Sequence, residues 1–308
     1  MTPGSRTRQR GVAAALLSAI FLGTAPIFGK QAYAEGMAPI ALAAWRMLIA
    51  AAGLWVVYAL VGRRYLYIYP AGLLGCLAVG AVNGIGSLLY YTGLQRVDAG
   101  VGQMVYSLYP FILVILLRLD GHRFSSLTLL RIVLAIAAVA LLTQTGDGPV
   151  DLTGFGLMLG AGLAYALHLS IGQRVSYEMP AQTLTLYAVT SMAVVVSIAH
   201  VLAGWGPVPA SAWNPTFGLA LVTVASRLGM FLGVKRLGSM QTALIGITEI
   251  LVTLLLAISL LGETLSPRQW IGAGLLLVSL LVIAREPLLS VAGQRKAAPR
   301  PSVAASSE

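Results

Sequence analysis

Polar residues in this chain come in short clusters separated by long apolar runs, without the every-second-residue alternation of a half-buried strand. Ten such runs are long or nearly long enough to cross a membrane as helices: 11–34, 39–62, 69–94, 100–117, 127–145, 152–173, 181–202, 215–234, 240–261 and 269–284. About 20 residues of helix cross the roughly 30 Å of bilayer hydrocarbon. The ninth run meets that length; the tenth is the shortest and needs its polar flanks near the headgroups. Pro39 suits a first helical turn. Pro26, in Gly23-Thr24-Ala25-Pro26, and Pro110 fall inside spans and predict kinks. Residues 174–179 read as a turn, and 204–209 as a rigid loop whose Trp205 forms an interfacial pair with Trp213.

The second half of the chain echoes the first. Leu94-Gln95-Arg96-Val97 is answered by Val234-Lys235-Arg236-Leu237, and Gly121-His122-Arg123-Phe124-Ser125 by Gly262-Glu263-Thr264-Leu265-Ser266, at nearly the same offset. Self-similarity at close to half the chain length predicts two structural repeats. The expected division is a cytoplasmic tail (1–10), a first five-helix repeat (11–145), a linker (146–151), a second five-helix repeat (152–285) and a disordered cytoplasmic tail (286–308). An odd number of spans per repeat turns the second upside down relative to the first. The fold class is therefore an all-α membrane protein of ten transmembrane helices in two inverted repeats, an arrangement many secondary transporters use.

Composition narrows the class further. Charged residues are 10% of the chain and hydrophobic residues 58%, with a mean hydropathy of +0.86. A soluble domain carries about 25% charged residues, so this chain cannot cover a water-facing surface. The formal charge of +10 is explained by topology and not by nucleic acid. Fourteen Lys and Arg residues, among them Arg63, Arg64, Lys235 and Arg236, fall on the side of the N-terminus; Lys30, Arg96 and Arg268 fall on the other. That bias puts both termini in the cytoplasm. The expected location is the bacterial plasma (inner) membrane, multi-pass. The 34 glycines suit close helix packing, and Gly80/Gly84, Gly156/Gly160 and Gly229/Gly233 have the spacing of packing seams. The single cysteine, Cys76, reads as a small apolar residue.

The doubled pattern resembles the drug/metabolite transporter superfamily, specifically its ten-helix EamA-type members, over residues 11–285. Leu261-Gly262-Glu263-Thr264-Leu265-Ser266 matches the hinge that closes each half of that family, followed by Gly272. Tyr109-Pro110 fits its mid-helix proline, Arg46 its arginine early in the second helix, and Gly93-Leu94 the approach to its third turn. Two positions depart: His122 stands where the first hinge usually has Glu, and Ile250 follows Glu249 where Pro is usual. The resemblance implies a small-solute exporter with substrate between the halves, lined by the first, third, fourth, sixth, eighth and ninth spans.

Ionisable groups inside spans are functional candidates by default. Arg46 lies seven residues past Pro39, about 10 Å along its helix; it reads as a structural or gating residue, a site wall or an interfacial group. Arg227 is placed to meet a cavity or a substrate carboxylate. Glu249 sits near mid-membrane, where it serves either proton or cation coupling or a structural hydrogen bond. His168 shares a helix face with Tyr165, as polar lining or an interhelical hydrogen bond. Asn83, Tyr90, Tyr106, Tyr109 and Tyr165 complete the substrate-binding candidates. Pro26, Pro110, Gly262 and Glu263 join Arg46 as structural or gating candidates. Lys30 reads as an interface charge neutralised by Glu35.

No HExxH, GxSxG or Walker A pattern occurs, so enzyme chemistry, metal, cofactor and nucleotide are not expected. The leading reading is an exporter of small metabolites such as amino acids, working by alternating access. The alternatives are a channel or a non-transporting membrane scaffold or receptor. Expected partners are a small-molecule substrate and the lipid bilayer, with proton coupling a candidate.

Overall fold

Helices form wherever an apolar run leaves the backbone no water to bond with, because in hydrocarbon each N–H and C=O must be satisfied inside its own segment. In the computed structural model, the described residues are 3–119 and 151–284, apart from 205, 207 and 247, together with 137, 138 and 141. They are helical throughout, with short connections. The helices are α1 (Pro3–Ala34), α2 (Pro39–Val61), α3 (Pro70–Arg96), α4 (Ala99–Tyr106), α5 (Tyr109–Leu119), α6 (Leu152–Glu178), α7 (Ala181–Leu202), α8 (Trp213–Leu237), α9 (Ser239–Gly246), α10 (Thr248–Leu261) and α11 (Pro267–Ala284). Eight membrane-length apolar helical segments are found among the described residues, with α4–α5 and α9–α10 each counting as one segment. The chain is thus a multi-pass membrane protein. The fifth predicted span (127–145), the first hinge and the tail at 286–308 lie outside the described residues, apart from 137, 138 and 141.

Several boundaries differ from the sequence reading. α1 begins at Pro3 and so takes in most of the basic N-terminal stretch. Residues 174–178 continue α6 instead of turning: beyond the bilayer a helix tolerates polar groups, and Glu178 there accepts a hydrogen bond from Tyr69 Oη at 2.6 Å. α1 runs unbroken through Pro26, while the Gly23 carbonyl nearby accepts from Thr253 Oγ1 at 2.7 Å. Trp213 packs edge-on to Trp45, with centroids 5.2 Å apart; its predicted partner, Trp205, lies outside the described residues.

The break between α4 and α5 has a covalent cause. Pro110 lacks an N–H and its ring excludes the carbonyl four residues back, that of Tyr106. The chain answers with a tighter turn in which Leu108 N donates to Val105 O at 3.2 Å. The displaced Tyr106 carbonyl lies against Gly162 of α6, where a Cβ would sit 3.0 Å from it. Only a glycine lets α6 pass there without a shift.

α1 packs along α8 and α3 along α6, while α7 lies against α2 and α3. Gly80 and Gly84 sit against α7, and Gly229 and Gly233 against α1, as packing seams. Gly156 has nothing within 4 Å and Gly160 meets only a leucine methyl, so that pair is not a seam. Large apolar side chains such as Leu60, Leu74, Leu202 and Leu221 face outward. Polar and charged ones, including Arg46, Asn83, His168, Arg227 and Glu249, are buried inside.

Candidate functional site

The buried polar side chains converge where α1, α2, α3, α4, α6 and α8 meet. They wall a cavity of about 40 Å³, counted as volume open to water centres. At roughly 10–15 Å³ per water, that admits about three. Leu22 and Ala25 line it from α1 and Arg46 from α2. Asn83, Gly86, Ser87, Tyr90 and Tyr91 come from α3, Gln103 and Tyr106 from α4, and Ala161 from α6. Val222, Thr223, Ser226 and Arg227 come from α8.

Helical spacing assembles the polar wall. Asn83 and Ser87 are one turn apart on α3, as are Thr223 and Arg227 on α8, so each pair shares a face. Arg46, 5% exposed, donates from Nη1 to Thr223 Oγ1 at 2.8 Å and from Nη2 to Ser87 Oγ. Its guanidinium lies 4.5 Å from the centre of the Tyr91 ring. Its Nε has no hydrogen-bond partner among the described residues. Arg227 is 7% exposed. In the amide orientation that satisfies both groups, Asn83 Oδ1 accepts from Arg227 Nη2 at 2.9 Å and Nη1 at 3.1 Å. Its guanidinium lies 5.3 Å from the Tyr165 ring centre. Every one of these partners is neutral. Among the described residues the ion pair that forms is Arg96–Asp151, at 3.0 Å near the surface.

Tyrosines close one side. Tyr90 Oη donates to Gln103 Oε1 at 2.9 Å. Tyr90 meets Tyr106 edge-on at 5.0 Å, Tyr106 meets Tyr165 at 5.4 Å, and Tyr109 meets Tyr165 edge-on at 4.7 Å. Each such pair is worth about 0.5–1.5 kcal/mol beyond area burial. The cluster stands between the cavity and a smaller hollow, about 10 Å³ by the same measure, lined by Tyr109, Tyr165, Met230, Thr242 and Glu249 among others. Glu249 is fully buried, and neither carboxyl oxygen has a hydrogen-bond partner among the described residues. Arg227 is within electrostatic range of it but makes no ion pair with it.

The candidate side chains thus separate into groups. Asn83, Tyr90, Tyr106 and Arg227 line the cavity, while Tyr109, Tyr165 and Glu249 line the hollow behind it. His168 lines neither: its Nδ1 sits 2.9 Å from the Val79 carbonyl oxygen, bridging α6 to α3, and its ring stacks on Tyr165 at 5.8 Å. Arg46, read as structural or gating, stands in the cavity wall. Ser87, Thr223 and Gln103 carry no such signal in the sequence, although Ser87 and Thr223 are one turn from residues that do.

A latch joins distant parts of the chain at one end of the bundle. Gly262 takes φ +67°, a left-handed conformation that ends α10 and that glycine adopts freely. The next residue, Glu263, accepts from Ala99 N at 2.6 Å with Oε1 and from Gly100 N at 2.9 Å with Oε2. It therefore caps α4 from the opposite half of the chain. Lys30 has Glu263 and Asp98 as the acids that act on it, in place of Glu35.

A model of the EamA-like transporter family matches residues 9–144 and, separately, residues 152–285. The chain belongs to the EamA-like transporter family. It is 27% identical over 204 residues to the threonine/homoserine exporter RhtA of Escherichia coli K12, covering 62% of this chain; it spans 64% of that relative's length. The RhtA of Salmonella typhimurium LT2 is 28% identical over 228 residues, 68% of this chain and 71% of the relative. The uncharacterized transporter YwfM of Bacillus subtilis is 24% identical over half of this chain and 53% of its own. One crystal structure shares the fold at a TM-score of 0.66 and 18% identity, over 94% of this chain and all of its own. The two EamA matches meet at the cavity: α1 to α4 lie in the first matched segment, α6 and α8 in the second. Among the described residues no group of three His, Cys, Asp or Glu comes together to hold a metal.

Proposed function

We propose that this EamA-like chain exports small metabolites by alternating access, with the Arg46–Arg227 cavity as its substrate site. The observation that carries the reading is that a buried polar cavity, inside a helical bundle that is apolar outside, is walled by both family-matched segments. Relative motion of two halves opens such a cavity first to one side of the membrane and then to the other. The names of the RhtA relatives point to amino acids as the substrate class.

The proposed frame is ten spans in two inverted five-helix repeats. Two features support it. The pairing of α1 with α8 is mirrored by that of α3 with α6, as expected if the first and sixth spans, and the third and eighth, are equivalent. The family model itself matches twice. In this frame Asn83, Tyr90, Tyr106 and Arg227 contact substrate, Glu263 latches the end of the bundle near Lys30, and Glu249 is the candidate proton carrier.

The test is counterflow in proteoliposomes of the purified protein, loaded with unlabelled L-threonine or L-homoserine and given the labelled compound outside. Accumulation above protein-free vesicles is expected. Uptake at the protein-free level across a panel of amino acids would count against export of that class.

A further inference from the structure

The charges of the cavity do not balance. Two guanidinium groups, Arg46 and Arg227, face one space, both more than nine-tenths buried. Neither forms an ion pair among the described residues, and no Asp or Glu lines the cavity. Glu249, the buried acid nearest in charge to Arg227, belongs to the hollow behind the tyrosines. A buried cation held only by hydroxyl, amide and ring partners keeps most of its desolvation penalty. Yet the surroundings are built to hold both guanidinium groups in place. Thr223 and Ser87 hold the two Nη atoms of Arg46, Asn83 holds Arg227, and tyrosine faces cover both. Arg46 Nε remains a buried donor without an acceptor among the described residues. Preorganised, uncompensated guanidinium forks are what planar oxyanion recognition requires.

We propose that Arg46 and Arg227 form a carboxylate seat. The ligand of this cavity carries a carboxylate group, bound by the two guanidinium groups, with the remainder of the molecule against Tyr90, Tyr106 and Gln103. The seat rests on the reading of the cavity as the substrate site and narrows its chemistry. Affinity follows the carboxylate and not the ammonium, so an organic acid without an amino group is as good a ligand for the seat as an amino acid.

The experiment measures melting of the purified full-length protein in detergent with three probes that share one skeleton. L-Threonine has both charged groups, L-threoninamide lacks the carboxylate, and 3-hydroxybutyrate lacks the ammonium. Threonine and 3-hydroxybutyrate are expected to raise the melting temperature, and threoninamide to leave it unchanged. Arg46→Gln and Arg227→Gln are each expected to weaken the two carboxylate probes roughly tenfold or more. Neither substitution is expected to lower the melting temperature of the ligand-free protein, because each removes a cation with no counter-charge. If either variant fails to fold, the three-probe comparison on the unaltered protein still decides. Equal stabilisation by threoninamide, no shift with either carboxylate probe, or an unchanged carboxylate response in both folded variants would overturn the seat. Counterflow separates the two readings. A carboxylate-dependent shift without any transport keeps the seat and removes the transporter, whereas threoninamide carried as fast as threonine removes the seat and keeps the transporter.

Discussion

The Glu263 latch makes a prediction whose size follows from its geometry. Its two carboxyl oxygens each take one backbone N–H, from Ala99 at 2.6 Å and Gly100 at 2.9 Å. Glu263→Gln keeps the shape but leaves one acceptor; the other position becomes an NH₂ that faces an N–H. One charge-assisted hydrogen bond is lost, about 1.5–3 kcal/mol, with about 0.3–1 kcal/mol of charge–dipole attraction at the start of α4. The conformation seen here should therefore be weakened by at least about 2 kcal/mol relative to one in which the latch is open, roughly a 30-fold shift in their ratio. Leu254 of α10 packs beneath the latch, 8% exposed, against Gly100. A cysteine placed there reports opening through its rate of reaction with a maleimide, while native Cys76 is buried. In the Glu263→Gln background the Leu254→Cys thiol should react at least about tenfold faster than with Glu263 intact. An unchanged rate in a folded Glu263→Gln protein would refute the idea that this carboxylate holds α4 and the end of α10 together.

Asp151 caps α6, accepting from Gly154 N at 2.9 Å, and pairs with Arg96 at 3.0 Å. The Gly154 N–H first, and Arg96 second, hold its carboxyl below the usual range. Its contribution is therefore present above the unfolded value of about 3.9 and lost as pH falls through the depressed folded value; the melting difference between the unaltered protein and Asp151→Asn should be present at neutral pH and vanish once the pH is below that depressed value. Gly162→Leu should cost about 1–3 kcal/mol, since its Cβ would sit 3.0 Å from the Tyr106 carbonyl oxygen, read as a lower denaturation midpoint; an unaffected midpoint would show that α6 can move aside. Glu249→Gln should fold, because the carboxyl it replaces has no hydrogen-bond partner among the described residues. If Glu249 carries protons, pH-gradient-driven accumulation is lost while counterflow persists; equal gradient coupling in both proteins removes it from that role.

Glu249 and Arg227 show how far the linear pattern could be read. Their depth along the membrane followed from the fixed rise of a helix per residue, and that both are buried followed from the cost of placing charge against lipid. Whether they pair did not follow. Depth constrains one coordinate, and pairing also needs the rotation of each helix about its axis. These helices are apolar on nearly every side, so no stripe marks the face turned inward. The same ambiguity hid which polar groups share a wall: the helix rotations put Arg46 in the cavity wall and His168 behind Tyr165.

The amino-acid sequence by itself determined the class and the approximate spans of the described helices, and it predicted a doubled architecture and its hinges. Each of these depends on local physics: the length of an apolar run against the bilayer, a proline without a donor, a glycine free to take positive φ. Tertiary structure alone decided which buried polar groups meet. Arg46, Ser87 and Thr223 are separated by 41 to 177 residues along the chain, and Glu263 reaches back 163 and 164 residues to cap α4. Such contacts arise from how helices pack through small residues where no solvent distinguishes one apolar face from another. The meeting of two unpaired arginines in one cavity is a property of that packing, and neither position in the chain carries a local trace of the other.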